Sequence, residues 1–381
     1  MDMVSFCSDL IRCRSVTPLD GGAIDCIENF LSSVGFDTKI LTFTSKDGSN
    51  TIKNLFARFS NISDQLDKKV LGFLGHSDVV PAGDSWSVDP FAAVQRNGYL
   101  IGRGVSDMKG GIAAFCCAAA TFVQRHFNGI LEIFITGDEE VGSMEGVQSL
   151  IKWTKENDYL PSHCLIGEPS SDVFLGDRIF LGHRGSMNAL VTAHGKQGHS
   201  ACPANYKNSL TNLCKYVAKI SAYPWKHEDK KFPCTNLEVT MLFTNNYAAN
   251  VVPELSSANL NIRFGGDYSS QMLMEILEKE GNDGLSFNFN TSGEAYYCDN
   301  EVLKHVLTES IRETVGLNPY FSAAGGTSDG RFMLAHCDVI EFGLRDNTMH
   351  QKDEQVKIAD LKNLERIYLA FLQRYFENIA Q

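Results

Sequence analysis

The eleven cysteines include no C-x-x-C pair, and their number is odd. That scatter disfavours a cysteine-ligated zinc site and a disulfide framework alike. Reduced, buried thiols in a cytoplasmic protein are the expectation. Long apolar runs are missing too, so no membrane span is expected. The opening MDMVSFCSDLIRCRS carries an early acid, Asp2, and lacks the apolar stretch of a signal peptide. Positive charge is short: 34 Lys and Arg stand against 46 Asp and Glu, a net charge of −12. Such a surface repels nucleic-acid phosphates and anionic lipid, so neither is an expected partner. No internal repeat, low-complexity tract or long linker interrupts the 381 residues, a length that accommodates two domains.

Strands and helices alternate in the first part. KKVLGFLGH and GILEIFIT read as buried strands, and HCLIGEP as a short one. GGIAAFCCAAATFVQRH reads as a long buried helix, with DCIENFLSSVGF and EGVQSLIKWTKEN as further helices. This alternation predicts an α/β fold whose sheet is flanked by helices. After about Asp177 the pattern changes. SMNALVTAHGK, LEVTMLF, SSANLNIRF and LSFNFN read as strands, with helices near SLTNLCKYVAKIS and SQMLMEILEKEG. That is an antiparallel α+β pattern of ferredoxin-like type. Helices and core strands resume from about Asn300. The simplest organisation is a catalytic domain of residues 1–181 and 295–381, interrupted by a smaller domain at 182–294. The alternating strands of the inserted part suggest an edge or face that must be covered, which predicts a symmetric homodimer through it.

The strand ILEIFIT runs straight into Asp138, Glu139 and Glu140. Three adjacent carboxylates repel, and a partly buried one needs a partner. One answer is a solvated loop with capping acids. The other is a metal ligand beside a general base. Other acids and histidines occupy equivalent places. GHSDVVPAG offers His76 and Asp78 at a strand end, GRGVSDMKGG offers Asp107 before a helix, IGEPS offers Glu168 and DNTMHQKDE offers His350. Taken singly, each is more often a structural histidine, an N-cap or a turn. Functional residues of an open α/β sheet gather at the carboxyl ends of its strands, and all of these sit there. Two histidines and three carboxylates are a mixed N/O set suited to zinc and tolerant of cobalt or manganese. With one carboxylate bridging, such a set could hold two ions.

GHSDVVP, GRGVSDMKGG, GDEEVGS, GEP, GHS at 198–200 and the late MH resemble, in order and spacing, the co-catalytic zinc amidohydrolases and peptidases of the M20 family. GGTSDGRF and RGSM resemble the branch of that family that cleaves N-succinyl-LL-2,6-diaminopimelate. The resemblance implies a catalytic α/β domain with an inserted dimerisation domain. It implies that His76 and Glu168 hold one zinc, that Glu140 and His350 hold the other, and that Asp107 bridges. It makes Asp78 the residue that orients His76 and fixes its tautomer. Glu139 becomes the general base, and Asp138 is left with a strand-end or capping role. His199 is implied to reach a partner subunit's site and polarise the scissile carbonyl. Arg184, Asn250 and Arg263 match positions that grip carboxylates, for which a guanidinium fork is suited. Gly326, Thr327 and Ser328 belong to a glycine-rich loop whose N–H groups could cradle a substrate carboxylate. A cis peptide is implied after Asp107. Two readings stay open beside this one: another hydrolase of the same family, such as an acetylornithine deacetylase or a dipeptidase, and a metal-binding scaffold without catalysis. Glu139 argues against the scaffold, which has no need of a base.

Overall fold

The structure is a computed structural model that describes residues 2–44, 48, 50–62, 69–140, 145–326 and 328–378. The chain divides into two compact units. Residues 1–181, 298–322 and 328–381 form the first, and residues 182–297 and 323–327 the second. The second unit thus runs to Tyr297 rather than 294 and also takes in a short later segment.

The first unit is built on an eight-stranded mixed sheet. Its strands lie side by side in the order Asp37–Thr44, Thr51–Asn61, Gly129–Thr136, Lys69–His76, His163–Ile166, Asp338–Glu341, Arg178–Phe180 and Tyr320–Ser322. The middle four run parallel to one another. Every residue of Gly129–Thr136 is buried, as is nearly all of Lys69–His76. Apolar runs of this kind, interrupted here only by the buried Glu132, suit a strand covered on both faces. Helix Gly110–Phe122 is apolar almost all round and almost wholly buried, which suits a helix enclosed by protein. Its Phe115 stacks on Phe73 of the central strand with ring centroids 3.9 Å apart. Tyr368, from the C-terminal helix Ile358–Asn378, meets Phe115 edge-on at 5.5 Å. These contacts fix the sheet to its helical layer and so fix the strand ends.

Side chains close several helix starts as the sequence allows. Asp2, Asn208, Ser269 and Asn300 each accept an N–H from the first turn of the helix that follows.

The second unit has a four-stranded antiparallel sheet in the order Asn236–Phe243, Leu255–Phe264, Gly185–His194 and Leu285–Gly293. Helices Ser209–Ser221 and Ser270–Glu280 share a core with it, in which Leu213, Tyr216, Leu273 and Leu277 meet Ala189, Val191, Leu260 and Ile262. The chain order strand, helix, strand, strand, helix, strand is the ferredoxin-like one. Among the described residues, no helix is long and apolar enough to cross a membrane. All eleven cysteines are free thiols, and Cys202, Cys214 and Cys234 are exposed rather than buried.

Candidate metal centre

The parallel strands deliver their acids to one edge of the sheet. His76 closes its strand in register with Thr136, and Leu74 pairs with Ile166. Beyond these ends come Asp138 to Glu140 on one side and Glu168 on the other. Asp107 lies in the tight turn leading into helix Gly110–Phe122, and the Asp107–Met108 peptide is cis. His350 comes from the loop between strands Asp338–Glu341 and Gln355–Lys357. Five segments far apart in sequence therefore converge within the first unit.

The contacts have a pattern. His76 Nε2 lies 3.0 Å from Asp107 Oδ1 and 3.6 Å from Glu168 Oε1. His350 Nε2 lies 3.1 Å from Asp107 Oδ2 and 3.0 Å from Glu140 Oε1. Asp107 thus offers one oxygen to each histidine. Among the described residues, three groupings have ligand atoms close enough to hold an ion: His76, Asp107 and Glu168; Asp107, Glu140 and His350; and His76, Glu139 and Glu140.

Whether these residues fit a metal is decided by His76. Its Nδ1 faces the main-chain oxygen of Asp78 at 3.0 Å, which can only accept, so Nδ1 carries the proton. In a neutral ring Nε2 then points a lone pair at two carboxylates. Acceptor facing acceptor is unfavourable unless a cation lies between them, either a second proton or a metal ion. The acids and histidines respond accordingly. Burial pulls the His76 pKa down, but hydrogen bonding to Asp107 and Asp78 and the charge of Glu168 outweigh it, and the net shift is well upward. His350 is raised to about 10 by its bonds to Asp107 and Glu140. Burial pushes Glu168 well above the usual carboxylate range, and the charge of Asp107 adds to it. Burial opposes the ionisation of Asp107, but the two histidines overcome it and its pKa falls. The site gathers more carboxylate than its own cations balance, and divalent ions suit that donor set.

Asp78 faces both His76 and the acidic loop. Its main-chain oxygen lies 3.0 Å and its carboxylate 3.6 Å from His76 Nδ1. The carboxylate oxygens also accept the N–H groups of Glu139 at 3.2 Å and Glu140 at 3.1 Å, so the same side chain holds the acidic loop. Glu139 is partly buried. Burial raises its pKa well above the usual range, the positive charge of His76 opposes this, and Asp329, Glu140 and Asp107 reinforce it. Asp138 is buried and accepts the N–H of Gly146 at 2.7 Å, in the first turn of helix Glu145–Glu156. It is a helix-capping acid.

The remaining candidates belong to the second unit, apart from Ser328. His199 is exposed and its Nδ1 accepts the N–H of Ala201 at 3.1 Å, so Nε2 carries the proton in the neutral ring. Arg184 donates to Asn236 Oδ1 at 2.7 Å and Arg263 to Asn261 Oδ1 at 3.3 Å. The two guanidinium groups are near enough that, after burial, the charge of Arg263 lowers the Arg184 pKa. Asn250 and Gly326 are exposed. Thr327 lies outside the described residues. Ser328, in the first unit, is 1% exposed and donates to Glu341 Oε1 at 2.9 Å. Gly326 to Gly330 also carry the G-x-S-x-G spacing of a serine nucleophile. A hydroxyl buried and bonded to a carboxylate in this way is not presented as a nucleophile is.

Among the buried acids that escape sequence analysis, two concern the centre. Asp329 accepts from Thr136 Oγ1 at 3.1 Å, and burial raises it to about 7. It stands inside the quoted GGTSDGRF, where only the loop backbone attracts notice. Glu354 ends the quoted NTMHQKDE and is 1% exposed.

The sequence model of peptidase family M20/M25/M40 matches residues 72–374. The chain belongs to the M20 family. A protein of Cereibacter sphaeroides named succinyl-diaminopimelate desuccinylase is 40% identical over 386 residues, covering 99% of each chain. An M20 family metallo-carboxypeptidase from Sulfolobus solfataricus superposes with a TM-score of 0.77 at 17% identity, over 98% of this chain and 99% of its own. A dinuclear metal-binding M20 peptidase of Bacillus subtilis superposes with a TM-score of 0.70 at 12% identity, over 98% of this chain and 99% of its own. Likeness at such low identity speaks to the M20 fold alone, and the fold is shared over nearly the full chain.

Proposed function

We propose that the chain is a metal-dependent amide hydrolase that cleaves N-succinyl-LL-2,6-diaminopimelate to succinate and LL-2,6-diaminopimelate. The observation that carries the chemistry is the sharing of Asp107 between two histidine-carboxylate groups, with Glu139 beside them. Support for the substrate comes from the full-length likeness to a relative named succinyl-diaminopimelate desuccinylase. His76 and Glu168 would hold one ion, Glu140 and His350 the other, and Asp107 both. Zinc suits this donor set, with cobalt or manganese able to substitute. When bound, such a pair would supply Lewis acidity, bringing the pKa of a water molecule to about 7 and polarising the amide carbonyl.

The chain's own residues then move protons and hold charge. Glu139 takes the proton of the attacking water and passes it to the departing amine nitrogen, so one carboxylate serves as base and then as acid. A pKa raised by burial matches that double duty. Asp78 keeps Glu139 and Glu140 in place through their N–H groups. His199, with its proton on Nε2, is suited to reach the partner subunit's site and donate to the carbonyl oxygen as charge gathers there. Arg184 and Arg263, with Asn250 and the loop of Gly326, Thr327 and Ser328, are assigned to the substrate's carboxylates. Two neighbouring guanidinium groups repel each other, and an anion between them relieves that repulsion. A homodimer through the second unit and a cytoplasmic location belong to the same reading.

The test is a panel of succinylated and acetylated diamino acids offered to the purified, metal-loaded protein. N-succinyl-LL-2,6-diaminopimelate should give the highest kcat/KM. Preference for an acetylated amino acid or a dipeptide would move the assignment to another M20 hydrolase.

A further inference from the structure

Glu354 has no part in the reading above, yet more of the centre's backbone converges on it than on any ligand. Its Oε1 accepts the N–H of Ser106 at 2.8 Å and of Asp107 at 3.3 Å. Its Oε2 accepts the N–H of Gly104 at 3.0 Å and Arg103 Nη1 at 2.7 Å. Its main-chain oxygen accepts the N–H of Gly102 at 2.9 Å. Arg103 is 2% exposed and carries the network onward. Its Nη2 reaches the main-chain oxygens of Ala82 at 3.3 Å and Pro81 at 3.5 Å. Trp86 stacks beneath the guanidinium at 5.1 Å and donates to the same Ala82 oxygen at 2.7 Å. Gly104 adopts φ +84°, and a Cβ there would lie 2.5 Å from Val79 Cγ1, so the loop lies close against the residue after Asp78. Three segments meet here: the one that follows His76 and Asp78, the one that carries Asp107, and the one that carries His350.

A buried ion pair adds little stability over well-packed apolar groups. What this one adds is geometry. A carboxylate has about four acceptor sites, and here all four are taken by donors from Arg103 and residues 104–107. We propose that Glu354 is a positioning residue: it sets the backbone of residues 102–107 so that Asp107 turns one oxygen to each histidine. The proposal rests on the metal-centre reading above.

Glu354→Gln tests it, because the amide has the same shape but puts an NH₂ where an acceptor is needed. Either the Ser106 and Asp107 pair or the Gly104 and Arg103 pair then meets a donor. The metal-free full-length protein is titrated with Zn²⁺ alone, followed by calorimetry, and with Co²⁺ alone, followed by absorption. Residues that orient metal ligands typically contribute about 10–100-fold in metal affinity, so Glu354→Gln should weaken binding by that factor and alter the Co²⁺ spectrum. Tyr375→Phe is the control. Its buried hydroxyl bonds Val70 and His163 at the opposite end of the sheet, and its loss should lower Tm without moving metal affinity. If Glu354→Gln does not fold, Arg103→Lys decides. It keeps the cation but not the fork to Pro81 and Ala82, and should weaken metal binding several-fold. Wild-type metal affinity in the folded variant overturns the proposal, as does an equal loss in Tyr375→Phe. A wild-type protein that takes up no metal would instead reject the metal-centre reading itself.

Discussion

Glu139 and Glu140 are neighbours with the same side chain, and the structure gives them different surroundings. Glu140 Oε1 is 3.0 Å from His350 Nε2, inside a group that includes Asp107. Glu139 has its pKa raised by burial and by three nearby acids. Both N–H groups are held by one carboxylate, that of Asp78, so the two side chains leave a common anchor. Changing each to Gln removes one charge at almost constant shape. For Glu139→Gln the protein should keep its metal and its substrate affinity and lose the chemistry. General acid-base assistance is worth roughly 10²–10⁴-fold. At about 1.36 kcal/mol per factor of ten, that is roughly 3–5 kcal/mol on the barrier. Excess zinc should recover none of it, since no metal has left.

Glu140→Gln should behave in the opposite way. A neutral amide replaces an anionic ligand, so one equivalent of metal should bind more weakly, and excess zinc should restore part of the activity. The assay pairs metal content with kcat for both variants across a series of zinc concentrations. A Glu139→Gln protein that had lost metal, or that added zinc revived, would show that the two roles are reversed and would refute the reasoning from contacts.

Other consequences can be tested directly. Metal-free protein titrated with zinc should bind two equivalents of unequal affinity; full activity at one equivalent would remove the shared role of Asp107. Asp78→Asn should lower kcat or metal affinity about 10–100-fold, because its amide cannot accept both loop N–H groups; unchanged values would reduce Asp78 to packing. Phe73→Ala should cost about 3–5 kcal/mol in denaturant unfolding, since the ring is fully buried and stacked on Phe115; a loss under about 1 kcal/mol would mean the core refills the space. Sedimentation should find a dimer, and a fully active monomer would count against a His199 shared between subunits.

What was legible in the sequence follows from how each residue is placed. Lys69–His76 and Gly129–Thr136 are central strands, so their runs are almost wholly apolar, Glu132 apart, and the polar residues at their ends stand out. The strand Asp37–Thr44 was not legible. It lies at the sheet edge and alternates only between exposed and half-buried positions, so solvent accepts nearly any side chain there. The two helices and the strands Gly185–His194 and Leu255–Phe264 were readable because each has one buried face and one wetter one, whereas Asn236–Phe243 was readable from its apolar residues although it is mostly exposed. Hydrogen-bond choices were not. That the Asp78 carboxylate takes two backbone N–H groups besides facing an imidazole depends on how a loop closes over it, and no spacing encodes that. Buried acids were hidden for a related reason. In sequence, Asp329 and Glu354 look like any solvated carboxylate, and only the donors folded around them set them apart. Ligands are therefore visible as residue types at strand ends, whereas the groups that aim them act through backbone contacts and are visible only once the chain is folded. That difference locates the most informative variants at Asp78 and Glu354, where a change of one atom alters the aim of a ligand without removing it.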